Sequence, residues 1–139
     1  MDVYKNVKKD LEDILEKINS NKDKPIIIFG HSLGAAISTI SGIDLFHKNY
    51  SVVVYNYASP KIGNQSLCDI IDDSINVFRI VNTSDIVPNL PASVSPNFKD
   101  INKPYIYSHC GILKSFNDNW LSTLNNHLIP VYMKGLETM

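Results

Sequence analysis

The stretch Ile26-Ile27-Ile28-Phe29-Gly30-His31-Ser32-Leu33-Gly34-Ala35-Ala36 changes character at its midpoint. Ile26 to Phe29 is a short run rich in β-branched residues and apolar on both faces, as a central strand of a parallel sheet requires. The run stops at Gly30. Beyond it, the small residues Gly34, Ala35, Ala36 and Ser38 alternate with Leu33, Ile37, Ile40, Ile43, Leu45 and Phe46, which predicts a helix packed closely on that sheet. Ser32 stands at the turn between the two, in Gly30-His31-Ser32-Leu33-Gly34. In a G-x-S-x-G turn the serine is held in a strained conformation, and Gly30 and Gly34 are assigned to support it by lacking a Cβ. The hydroxyl then projects above the sheet edge as a candidate nucleophile. The Leu33 N–H, at the positive end of the following helix, is the candidate donor to a developing oxyanion. By composition alone such a pentapeptide arises in roughly one chain of this length in twenty, so its place at a strand-to-helix change is what gives it weight.

Working outward, Tyr4, Val7, Leu11, Ile14, Leu15 and Ile18 recur at steps of three and four, which predicts an amphipathic helix before the turn residues 19–25. Val52 to Tyr57 reads as a strand, Asn64 to Asp73 as a helix and Ile75 to Val81 as a strand. A loop holding Pro91, Pro96 and Pro104 leads to Tyr105–His109 and Gly111–Ser115, read as one more strand region, and His127 to Leu136 closes the chain as a helix. Alternation of strands and helices implies right-handed crossovers and an α/β fold, a mostly parallel sheet covered by helices on both faces. Residues 1–139 are expected to form a single domain.

A hydrophobic content of 44%, a charged content of 19% and a net charge of −1 describe an ordinary globular chain. There is no basic excess to suggest nucleic acid or an anionic membrane. The N-terminus lacks the uninterrupted apolar stretch of a signal peptide, and no run reaches membrane-spanning length. Cys68 and Cys110 have no metal-ligand spacing and are expected to be free thiols. A cytoplasmic, reducing setting fits these features. The sequons at Asn49, Asn64 and Asn82 carry little weight in a chain rich in asparagine.

A serine hydroxyl at neutral pH needs a histidine to take its proton and an acid to orient that histidine. Where this turn occurs in α/β-hydrolases, the chain order is serine, acid, histidine. That order discards His31, read as a packed turn residue, and His47, placed near a helix end. Asp85 follows the strand ending at Val81, in the turn Asn82-Thr-Ser-Asp85, where open α/β sheets place their sites. Asp69, Asp72 and Asp73 belong to a helix, and Asp100 and Asp118 to polar loops. Of the histidines downstream, pattern leaves both His109 and His127 open.

Residues 26–132 resemble the fungal-type, or class 3, lipase family of α/β-hydrolases. The matching pieces are Gly30-His-Ser-Leu-Gly-Ala-Ala36, Tyr55-Asn-Tyr-Ala-Ser-Pro60 with Ile62-Gly-Asn64, Arg79-Ile-Val-Asn82, Asp85-Ile-Val-Pro-Asn-Leu-Pro91, Tyr107-Ser-His109 and Asn126-His127. The resemblance implies Ser32 as nucleophile, Asp85 as orienting acid and His127 as general base, with the segment holding His109 structural or lining the site. It also implies hydrolysis of lipid or small carboxylic esters through an acyl-enzyme, without metal or cofactor, and at most peripheral membrane contact.

In that family a strand and loop well upstream supply the second oxyanion donor and an amphipathic lid. The chain is therefore expected to be a C-terminal core portion of the family fold, truncated at its N-terminus, with an unpaired apolar strand edge prone to self-association. One oxyanion donor fewer lowers the rate about 100- to 1000-fold. The alternative is a hydrolase fold that binds without turnover. A nucleotide-binding domain is excluded, since neither G-x-G-x-x-G nor a Walker lysine follows the first strand.

Overall fold

The computed structural model describes residues 2–120, 122 and 124–139. Helix α1 (Asp2–Ile18) is followed by strand β1 (Ile26–His31), helix α2 (Leu33–Phe46), strand β2 (Val52–Tyr57), helix α3 (Gln65–Ser74) and strand β3 (Asn76–Asn82). The short strands β4 (Val94–Ser95) and β5 (Tyr105–Ile106) precede strand β6 (Ile112–Phe116) and helix α4 (Ile129–Leu136). The main sheet has the order β1-β2-β3-β6 and every pairing in it is parallel. A parallel sheet with helices on both faces is the expected α/β architecture.

The two faces are covered unequally. Val52 and Val54 alternate with Tyr55 and Tyr57 along β2, so the valines point one way and the tyrosines the other. α2 lies on the valine face so closely that a Cβ at Gly42 would stand 2.8 Å from Val54 Cγ2. α3 joins the same core through Cys68 and Ile71. α1 docks on α2, where Tyr4 Oη and Lys8 Nζ donate to the Asp44 carboxylate at 2.8 and 2.9 Å. On the tyrosine face α4 packs Val131 and Tyr132 against Ile80 and Phe116. On the same face Phe29, Tyr55 and Phe78 stack across three strands with ring centroids 5.5 and 5.1 Å apart, and Phe29 stays 66% exposed. Among the described residues β1 is paired on one side only, with β2.

Two expectations about elements need correction. Tyr105–His109 does not join the main sheet; β5 pairs antiparallel with β4 in a separate hairpin, and β6 alone continues the sheet. The alternating residues of that segment specify an extended chain but not which partner it finds. The final helix also begins two residues after His127, which sits instead in a 3₁₀ turn, Asn125–His127. Pro130 favours a fresh helix start there, because its missing N–H falls where no intrahelical acceptor is needed.

Candidate active site

β1 runs into the turn without losing contact with β2, since Ser32 N donates to Tyr57 O at 3.0 Å. Ser32 itself has φ 58° and ψ −127°, a strained conformation for a residue with a side chain, and it holds the hydroxyl clear of the strand. A Cβ at Gly30 would lie 2.6 Å from both Ala35 Cα and Gly34 O, so the glycine requirement there is steric. The same reasoning fails at Gly34, where a Cβ would meet nothing within 4 Å outside its own helix among the described residues. Its expected support role is not a packing one. Beneath the turn, Ser38 Oγ donates to Asn56 Oδ1 at 2.5 Å and Asn56 Nδ2 to Thr39 Oγ1 at 2.6 Å. This buried polar chain fixes the start of α2 on β2.

Asp85 leaves the C-terminal end of β3 in a tight turn, its N–H donating to Asn82 O at 3.0 Å. Its Oδ1 accepts from Val87 N at 2.9 Å, and Oδ2 accepts from both Tyr132 Oη and His127 Nδ1 at 2.8 Å. The side chain is fully buried, so these three donors replace the water that a carboxylate otherwise needs.

His127 arrives from the far end of the chain. Its turn is tied down by Asn126, whose Nδ2 donates to Ser84 O at 3.1 Å, and whose Oδ1 accepts from Trp120 N at 2.7 Å. Asn82 completes the clasp by donating to Asp118 O and Asn126 O at 2.8 and 3.2 Å. His31 Nε2 donates to the His127 carbonyl at 2.8 Å, with the two rings 4.7 Å apart. Burial holds the His31 imidazole below its ordinary pKa, so it sits there neutral.

The outcome is a continuous path. His127 Nε2 lies 2.8 Å from Ser32 Oγ while its Nδ1 faces Asp85. With Nδ1–H donating to the carboxylate, Nε2 is left as the acceptor for the serine proton. His109 is not part of this path. Its Nε2 donates to Pro88 O at 2.8 Å, and burial, with Arg79 and Lys61 adding like charge, lowers its pKa to about 4. His47 caps the end of α2. Asp72 receives the Gly111 N–H, and Asp118 pairs with Lys134. Sequence pattern assigns no role to Tyr132, Asn82 or Asn126. Their signal was weak, since buried polar side chains in loops become recognisable only when their partners are seen. Among the described residues no group of three or more His, Cys, Asp or Glu could hold a metal ion, and no helix is long and apolar enough to cross a membrane.

The model of the family described as lipase (class 3) matches residues 1–95. The chain belongs to the class 3 lipase family. That match spans Ser32 and Asp85 and ends before both His109 and His127, so it does not itself separate the two histidines. Over 82 residues the chain is 40% identical to secreted mono- and diacylglycerol lipase A of Penicillium cyclopium, covering 58% of this chain and 27% of that one. It is 25% identical over 147 residues to phospholipase A1-IIalpha of Arabidopsis thaliana, covering 96% of this chain and 33% of the relative. A crystal structure of a mutant form of MDLA from Penicillium cyclopium superposes with a TM-score of 0.66 at 31% identity, over 86% of this chain and 41% of that one. Mono- and diacylglycerol lipase from Aspergillus oryzae gives a TM-score of 0.59 at 36% identity, over 64% of this chain and 34% of that one. This class 3 lipase chain thus spans well under half the length of these proteins, and the family is one of lipid-ester hydrolases with an α/β-hydrolase fold.

Proposed function

We propose that the chain hydrolyses carboxylic esters of lipids through an acyl-enzyme on Ser32, with His127 as general base and Asp85 as its orienting acid. The observation that carries this reading is the unbroken path from Ser32 Oγ through the His127 ring to Asp85 Oδ2, two contacts of 2.8 Å each joining three remote segments.

Each step follows from that path. Ser32 Oγ attacks the ester carbonyl while its proton passes to His127 Nε2, and the imidazolium formed is stabilised by the Asp85 carboxylate. The carbonyl oxygen becomes an oxyanion facing the Leu33 N–H, one of the helix-start groups without an intrahelical acceptor. Collapse breaks the bond to the alcohol, which leaves with the proton held by His127. Water then gives a proton to His127 and adds to the acyl-enzyme, and the carboxylic acid departs as Ser32 recovers its proton.

The surroundings favour a lipid acyl group. Each residue of the path is followed directly by a large aliphatic side chain, Leu33, Ile86 and Leu128, and these are 53%, 53% and 51% exposed. Such a rim offers apolar surface to a dispersed or peripherally contacted lipid. Acylglycerols and phospholipids, the substrate classes in the names of the Penicillium and Arabidopsis relatives, are the substrates proposed here.

A fluorophosphonate probe tests the reading, because it phosphonylates only a serine activated in this way. Labelling is expected on Ser32 of the folded chain and lost in Ser32→Ala. Folded wild-type protein that stays unlabelled would leave the binding-only reading in its place.

A further inference from the structure

Cys68 and Cys110 take no part in the path just described, yet they meet in the core. Cys68 lies in α3 and is 0% exposed; Cys110 precedes β6 and is 4% exposed; both belong to one buried cluster. Each thiol lies within electrostatic reach of the other. Neighbouring contacts tie their two segments together independently of the sulfurs. One helical turn beyond Cys68, Asp72 Oδ1 accepts from the N–H of Gly111, the residue after Cys110, at 2.7 Å. Gly111 has φ 91°, and a Cβ there would stand 2.6 Å from Val77 O, so this corner is pressed onto β3.

We propose that Cys68 and Cys110 are an oxidation site, forming an intramolecular disulfide that staples α3 to the start of β6. The oxidant is a small-molecule disulfide of the glutathione class. One cysteine thiolate attacks it, forming a mixed disulfide and releasing one glutathione thiolate. The second cysteine thiolate then displaces the other glutathione, so the protein dithiol loses two electrons and one glutathione disulfide gains them. The two protein protons end on the two glutathione thiols. Burial raises both thiols, Cys110 to about 12, so the folded pair is protonated and the exchange runs during folding or local opening. The segment enclosed by the bond contains β3, Asp85 and the β4–β5 hairpin. Closing a loop of about 40 residues restricts the unfolded chain, and raises Tm by about 10 °C in a domain of this size. Both thiols are free in the structure, as the sequence predicts, and the proposal makes them a pair whose state reports its compartment.

The test refolds the full chain from denaturant in a glutathione/glutathione disulfide buffer, quenches with acid, alkylates the remaining thiols and maps the peptides. The expected result is one peptide pair joined through Cys68 and Cys110, a mass lower by two hydrogens, and a Tm about 10 °C above that of dithiothreitol-treated protein. Cys68→Ala and Cys110→Ala should each lose both the crosslink and the Tm difference. If either variant fails to fold, the wild-type map alone decides. Recovery of both cysteines alkylated, each carrying its own glutathione, or joined between two chains would overturn the proposal.

Discussion

Tyr132 Oη donates to Asp85 Oδ2 at 2.8 Å, sharing that oxygen with His127, and at the same time accepts the Asn82 N–H at 3.1 Å. Burial and the neighbouring carboxylate raise the phenol far above its ordinary pKa, so it stays a donor at every working pH. Tyr132→Phe removes one of three donors to a buried carboxylate and orphans a buried N–H. The expected outcome is a loss of about 1–3 kcal/mol in urea unfolding and a fall in kcat of about 10-fold with KM little changed.

The two downstream histidines make opposite predictions. His127→Ala should lower p-nitrophenyl ester hydrolysis by about 10⁴-fold or more, since it removes the base and leaves the serine unactivated. His109→Ala should retain substantial turnover, because that ring bonds to Pro88 O and does not meet Ser32. Side-by-side initial rates check both, and the reverse ranking would overturn the assignment.

His109 also sets an acid limit on stability. Its pKa is about 4 in the folded chain against 6.5 for the free group. Between those values the unfolded chain binds a proton that the native chain does not, so stability rises with pH across this window. This contribution is complete above 6.5, falls as pH drops toward 4, and stays lost below it. Thermal unfolding at steps from pH 7 to 4 should show the decline, and His109→Gln should flatten it.

The turn distinguishes its two glycines. Gly30→Ala drives a Cβ to 2.6 Å from backbone atoms of Gly34 and Ala35, and is expected to cost about 1–3 kcal/mol and to displace Ser32. Gly34→Ala meets open space beyond its helix, and should keep activity while gaining up to about 1 kcal/mol from helix propensity. Denaturation curves and fluorophosphonate labelling of the two variants provide the comparison.

Among the described residues one side of β1 has no strand partner, which leads us to propose self-association through that strand. Ile27 and Phe29 are 56% and 66% exposed, and no charged residue or proline lies within Ile26–His31 to discourage pairing. Sedimentation velocity across a concentration series should show dimers or larger species, reduced by Phe29→Lys. A clean monomer at high concentration would count against it.

Much of this was legible in the chain. The order of helices and strands through β3 follows from local periodicity, because a buried face selects the same apolar spacing wherever it occurs. Ser32 is readable because the turn demands glycine at position 30, a constraint expressed within five residues. Asp85 is readable because it follows a recognisable strand. Other features depend on partners far away in sequence. The Tyr105–His109 segment has the pattern of a strand, yet its hydrogen bonds went to β4 rather than to the sheet, since alternation specifies a face and not a neighbour.

Sequence by itself determined the α/β class, the Gly30–Gly34 turn and the resemblance that implied His127 as the partner of Ser32 and Asp85. Only the tertiary structure decided how His127 is held there. The clasp of Asn82, Asn126, His31 and Tyr132 joins segments with no local pattern in common, and a hydrogen bond between such segments leaves no periodic trace. The meeting of Cys68 with Cys110 is of the same kind. Two thiols set far apart enter one buried cluster because α3 and the entrance to β6 pack on the same core, which residue spacing alone does not encode.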